Sequence, residues 1–374
     1  MNICIIFGAG AEIEYNLSGG MTFAKNVLGI ENKEIDEETH KKINDAIKTF
    51  YEKIKDDAWY PNHYNKKFKK DDLCKAALRK KYIEKSSKSQ SDYYDSIKKE
   101  FEPLGESEKD RVIEEYTSYM GIFDERFHTI IEPKALGAYK FWDIVNAYWR
   151  AYLSLAKCMC PELNYAEMMN NPIKAYDEMK AWITKRNNFG SYYYILNEAV
   201  KKNNNNYSVI TTNYTPICET VSGIDSEDIS YVHGAFWWFE NPQNFRLLDA
   251  SNKNEKFEGE LYFPFIMLQS GIKPIVNSKQ IKEWAKAIHF LEKADRVVVL
   301  GYKINSDDNH FNSMIQESIV NGKEIVFLDF DEVGEKTILK RLRLDENGQY
   351  SNIKYESINE ENAKEKFNNW ISNK

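Results

Sequence analysis

Gly8-Ala9-Gly10-Ala11 stands directly after Asn2 to Ile6, a run that reads as a buried strand. Two glycines and two alanines with nothing bulky among them suit a tight turn. They suit equally a loop whose backbone N–H groups reach a bound anion such as a diphosphate, because larger side chains would block that approach. Gly-x-Gly lacks the third glycine of the dinucleotide fingerprint, so the stretch alone leaves both readings open.

Four later stretches share this form, a chemically capable residue at the end of an apolar run. Thr211-Thr212-Asn213 closes the run that begins at Tyr207. Asn213 carries a donor and an acceptor on a short side chain. It fits a ribose hydroxyl, a carboxamide or a water, or it caps the turn before Pro216. His233 closes a run that begins at Ile229. It suits a general base near neutral pH, or a structural histidine. Of six histidines it alone stands at an expected strand end beside a glycine; His40, His63, His128, His289 and His310 fall in helices or loops without ligand spacing. Gly301-Tyr302 follows Arg296 to Leu300, and Gly301 permits another close backbone approach. Asp307 and Asp308 belong to that same end or cap a helix beginning near Asn309. Asp329 closes the run from Glu324, where it would accept from ribose hydroxyls or serve as a turn residue.

The elements that must position these residues alternate. Runs at 207–215, 229–236, 261–268, 296–302, 324–331 and 352–357 read as strands, the last as an edge strand, and 279–292 reads as an amphipathic helix. Strands alternating with helices make a parallel sheet covered on both faces. The expected fold is therefore α/β, a doubly wound, Rossmann-like sheet, with ligands at the carboxyl ends of the strands. Residues 31–190 have helical spacing instead, as in Ile43, Ile47, Phe50, Tyr51 and Ile54. They form a helical insertion domain, with 1–30 and 191–374 as the α/β domain. Met21 to Leu28 reads as a helix closed by Gly29, and 86–94 as a loop.

Composition removes several classes of function. Acidic residues outnumber basic ones, 58 to 51, for a net charge of −7, which argues against a nucleic-acid-binding surface. Five cysteines, at 4, 74, 158, 160 and 218, form no Cys-x-x-Cys pair, so neither a disulfide framework nor a structural zinc is expected. No apolar run reaches the roughly 18 residues of a membrane helix. Ile3 to Phe7 is too short for a signal-peptide core. A cytoplasmic protein that meets no membrane is the expectation.

Taken in order, a glycine loop, Thr-x-Asn, His-Gly, Gly-Tyr with trailing aspartates and an acidic strand end form a series. It resembles the sirtuin family, and more closely the sirtuin-like domains of bacterial anti-phage defence proteins. The resemblance covers residues 1–30 and about 191–335. It implies NAD as substrate. By it, Gly8, Ala9, Gly10, Ala11 and Glu12 embrace the diphosphate, and Thr211, Thr212 and Asn213 face the nicotinamide ribose. His233 is the catalytic base, and Gly301, Tyr302, Asp308 and Asp329 complete the NAD-binding set. The family's Gly-Thr-Ser falls on Gly301-Tyr302-Lys303, its aspartate two residues after the asparagine is Thr215, and its serine after the loop is Glu12.

Protein-deacylating sirtuins carry four cysteines on a zinc-bound module, and this sequence lacks them. No zinc is expected, and a groove for an acyl-lysine peptide is poorly supported. The related defence proteins hydrolyse NAD to nicotinamide and ADP-ribose. The expected function is an NAD glycohydrolase that acts in anti-phage defence by NAD depletion, an abortive infection. The alternatives are a non-catalytic module sensing NAD or ADP-ribose, and a sirtuin-type deacylase or ADP-ribosyltransferase. The helical insertion, rich in Tyr, Phe and Trp, is a reasonable place for self-association, and a homo-oligomer is expected. With no effector-binding domain before residue 374, the resemblance implies a partner such as a HerA-type ATPase, or a phage-derived trigger.

Overall fold

The computed structural model describes residues 1–17, 37–53, 71, 74–75, 77–78, 81, 90–116, 138–186, 190–241, 246–258, 262–267, 278–305, 308–330, 334–345, 347–348 and 350–372. Strand β1 (Asn2–Phe7) is followed by a 3-10 helix (Ala9–Tyr15). Helices α1 (Glu37–Lys53), α2 (Gln90–Phe101), α3 (Glu106–Tyr116), α4 (Ala138–Met159), α5 (Tyr165–Asn170), α6 (Pro172–Arg186) and α7 (Tyr192–Lys202) come next. Then follow β2 (Asn206–Thr211), α8 (Ile217–Val221), β3 (Ile229–Tyr231), β4 (Gly234–Glu240), β5 (Leu247–Asp249), β6 (Phe263–Ile266) and α9 (Ser278–Lys293). The chain ends with β7 (Arg296–Leu300), α10 (Asn309–Val320), β8 (Glu324–Asp329), α11 (Glu335–Arg341), β9 (Ile353–Ser357) and α12 (Ala363–Ser372).

Six strands form one sheet in the order β3-β2-β1-β7-β8-β9, and every pair is parallel. Apolar runs make such strands because both faces are covered. In β1, Cys4 and Ile6 enter a core with Val297, Val299, Phe290 and Phe311. Phe7 meets Tyr193 of α7 and Phe367 of α12, with ring centroids 4.6 and 5.8 Å away. Each such buried side chain contributes about 1.5–3 kcal/mol. The expected α/β fold is what the structure has, with β9 at the sheet edge.

The expected strand over 229–236 is interrupted. It stops at Tyr231, and the chain turns through Val232 and His233 into Gly234, the first residue of β4. Gly234 holds φ +84°, and a Cβ there would lie 2.3 Å from the Phe265 carbonyl oxygen. Beyond it, β4 pairs antiparallel with β5 and β6 in a separate three-stranded sheet. Pro264 falls on β6, an outer strand of that sheet, where a missing N–H is tolerated. The loop expected over 86–94 gives way to α2 from Gln90 onward, since Ser and Asp suit a helix's first turn as well as a loop. The expected helix over 21–28 lies outside the described residues.

The chain divides into two compact units, one of residues 1–19, 155–267 and 273–374, the other of 20–154 with 268–272. The first holds both sheets. In the second, Ile43, Ile47 and Phe50 of α1 are buried, and Phe50 meets the Trp149 ring of α4 edge-on at 5.3 Å. Among the described residues, no helix is long and apolar enough to cross a membrane.

Candidate active site at the carboxyl edge of the sheet

The strand order reverses between β1 and β7, so the crevice outside their carboxyl ends is where ligands of this fold class bind. Here two backbone turns meet. Gly8 N–H donates to Leu300 O at 3.0 Å, Gly10 N–H to Gly301 O at 3.0 Å, and Ala11 N–H to Gly8 O at 2.9 Å. A Cβ on Gly8 would lie 2.4 Å from Gly301 O, one on Gly10 2.7 Å from Gly301 Cα, and one on Gly301 2.4 Å from Ala11 N. Gly301 also holds φ +71°, a conformation suited to glycine. The glycines thus have a reason inside the protein, the close passage of one turn over the other. Three loop N–H groups are engaged there. Ala9, exposed, opens the 3-10 helix.

Asn213 lies just beyond β2 and is buried at 6% exposure. Its Nδ2 donates to Gly8 O at 3.0 Å and to Tyr193 Oη at 3.3 Å. Thr211 Oγ1 accepts from the Asn213 N–H at 3.0 Å. Thr212 N–H donates to Phe7 O at 3.0 Å. These bonds fasten the ends of β1 and β2 together. Beneath them Glu12 is 5% exposed. Its Oε1 accepts from Thr215 Oγ1 at 2.8 Å and Tyr193 Oη at 3.2 Å. Burial pushes its carboxyl up to about 7 against the pull of hydrogen bonds from Thr215, Tyr193 and Asn213.

His233 follows β3 and is 3% exposed; its Nε2 lies 2.9 Å from Oδ2 of Asp308, itself 4% exposed. The Tyr302 hydroxyl lies 3.1 Å from the same Oδ2 and 2.7 Å from Asn312 Oδ1. Asn312 Nδ2 in turn donates to Asn305 O at 2.7 Å. Burial, and then the charge and hydrogen bond of Asp308, hold the Tyr302 hydroxyl well above its ordinary pKa. Asp308 occupies the N-cap position of α10 yet makes no capping bond with its side chain. Its carboxylate turns to the histidine instead. The β3 end is pinned by α9, where Glu283 Oε2 accepts from Tyr231 N–H at 3.0 Å and Trp284 Nε1 donates to Val232 O at 2.9 Å.

Most predicted residues are therefore linked. The glycine loop touches Asn213 and Gly301, Tyr302 follows Gly301, and Tyr302 and His233 share Asp308. Among the described residues Asp329 meets a different partner: its Oδ2 accepts from Tyr355 Oη of β9 at 3.0 Å. Sequence reasoning did not foresee Tyr193, Asn312 or Glu283. Each lies on a helix whose relation to the strand ends no local pattern encodes. A cleft of about 400 Å³ lined by Glu356, Asn362, Glu365, Lys366, Asn369 and Trp370 lies beside β9 and α12, and none of the predicted residues lines it.

No protein-family model matches the chain, and no curated protein matches it. Among solved structures, a Sir2 homologue in complex with NAD is 14% identical, over 56% of this chain and 77% of that one, with a TM-score of 0.33. A mutant Sir2 homologue in complex with ADP-ribose is 15% identical, over 55% and 74%, with a TM-score of 0.32. A structure on the basis of sirtuin substrate affinity is 14% identical, over 54% and 77%, with a TM-score of 0.33. Superpositions of this quality leave the reading of the site to its own residues.

Proposed function

We propose that the chain is an NAD glycohydrolase, releasing nicotinamide and ADP-ribose, and that it serves anti-phage defence by depleting NAD. The observation that carries the chemistry is the buried His233–Asp308 pair, 2.9 Å apart, at the carboxyl edge beside the turn between Gly301 and the glycine loop. A carboxylate against one imidazole nitrogen fixes the ring's orientation, as a general base requires. The defence role rests on the sequence resemblance.

Cleavage breaks the bond between nicotinamide and the ribose anomeric carbon. Nicotinamide leaves neutral from a cationic precursor, taking the bonding electrons. Water adds to the anomeric carbon of an oxocarbenium-like centre. Its proton passes to His233, directly or through a ribose hydroxyl. NAD and water give nicotinamide, ADP-ribose and one proton. Asn213 orients ribose and water, and Ala9 N–H at the 3-10 helix start meets the diphosphate. Fixed orientation supplies much of the rate.

Purified protein incubated with NAD, alone and with extract of phage-infected cells, tests this by mass spectrometry of products. Nicotinamide and ADP-ribose are expected, and His233→Ala should slow their release by on the order of a hundredfold or more. Nicotinamide released only when an acceptor protein is added would point to transfer. One observation favours a sensing module instead: Asn213, His233 and Asp308 are each buried, with partners inside the protein. NAD affinity without any product would establish it.

A further inference from the structure

We propose that Glu12 is the positioning residue for Asn213: its carboxylate directs the hydrogen bonds that decide which end of the Asn213 carboxamide faces the reacting group. This rests on the hydrolase reading for its catalytic readout, and on the geometry for everything else.

A directed chain links the two residues. Asn213 Nδ2 donates to Tyr193 Oη at 3.3 Å, and Tyr193 Oη donates to Glu12 Oε1 at 3.2 Å. Thr215 Oγ1 donates to the same oxygen at 2.8 Å. An ionised carboxylate only accepts. While Glu12 is ionised, the Tyr193 proton points to it, and the tyrosine oxygen is left as an acceptor. The Asn213 side chain must then turn its NH2 toward Tyr193 and the Gly8 carbonyl, leaving Oδ1 for ribose or water. A protonated Glu12 has a proton of its own to donate, and Tyr193 can reverse. The carboxamide then loses one of the two bonds that set its direction. Cooperative strengthening along such a buried chain makes its polarity matter.

The surroundings suit a group that changes charge in working conditions. Among the described residues, the titratable groups that interact with Glu12 are Tyr15 on its own segment, Tyr193 on α7, Cys218 on α8 and Tyr231 on β3. None is a cation. Burial, countered by Thr215, Tyr193 and Asn213, brings the carboxyl to about 7. Orientation of Asn213 should therefore tighten as pH rises through neutrality.

The full-length wild type, Glu12→Gln and Tyr193→Phe are compared from mildly acidic to mildly alkaline pH. Nicotinamide release and NAD affinity by calorimetry are both recorded, and thermal unfolding confirms that each variant is folded. Glu12→Gln keeps the shape and removes the charge. Its kcat at alkaline pH should fall about tenfold with KM changed less than about threefold. The wild-type rise in NAD affinity and kcat across neutrality should flatten. Tyr193→Phe should flatten it likewise. A folded Glu12→Gln with wild-type pH profiles for both readouts overturns the proposal. Product release absent from every protein, with NAD still bound, counts against hydrolysis alone. The affinity profiles then decide the role of Glu12. A wild type that binds no NAD at any pH overturns both.

Discussion

At the scale of single residues, Gly301 and the carboxylate of Asp308 shape the site. Gly301→Ala would place a methyl group 2.4 Å from Ala11 N at a φ of +71°. The expected loss is on the order of 3 kcal/mol, measured by chemical denaturation, and an unchanged midpoint would mean that the two turns do not meet. Asp308→Asn keeps a partner for His233 and Tyr302 but removes the charge. Folding should survive, while nicotinamide release falls on the order of a hundredfold. The order of Gly8, Asn213, His233 and Gly301 along the chain was enough to bring them together on paper, because each ends an apolar run. The partner of His233 was harder to read. Asp308 looks like a helix cap by position, and only the fold turns its carboxylate toward a ring 75 residues earlier. Glu12 was legible as a departure from a family pattern and no more, since its meaning depends on Tyr193, 181 positions away.

At the scale of elements, buried strands were the easiest to recognise and helices at the ends of the chain the hardest. Runs such as Arg296–Leu300 and Glu324–Asp329 are strands because continuous apolarity over so few residues suits only an element covered on both faces. The small sheet of β4, β5 and β6 was hidden within the same alternation. Pairing direction is not written in a strand's composition, and the turn at Gly234 depends on the backbone of Phe265. Helix α12 was missed, and it has a clear purpose. Phe367 is wholly buried, against Phe7 of β1 and Tyr192 of α7, and Tyr207 Oη donates to Ile371 O at 2.9 Å. Phe367→Ala should cost about 3–5 kcal/mol by urea unfolding. A loss below about 1 kcal/mol would mean that α12 is not part of this core.

At the scale of the whole molecule, Glu12 links stability to pH. Its carboxyl titrates near 7 when folded against an ordinary 4.5, so folding favours its protonated form. That contribution is complete below the ordinary value and is lost as pH rises to neutrality. The loss is on the order of 3 kcal/mol. Glu12→Gln should abolish it, so the variant gains on the wild type in denaturant midpoint between mildly acidic and neutral pH; a constant gap would show that Glu12 titrates as an ordinary carboxylate. The sheet's topology also has a consequence in time. β1, made first, sits in the middle of the sheet, and its neighbours are residues 206–211 and 296–300. At about 5–20 residues per second, the ribosome needs tens of seconds to deliver both flanks. Until residues 206–211 follow, Ile3, Ile5, Ile6 and Phe7 have no native partner strand, and the unpaired strand is open to association with other chains.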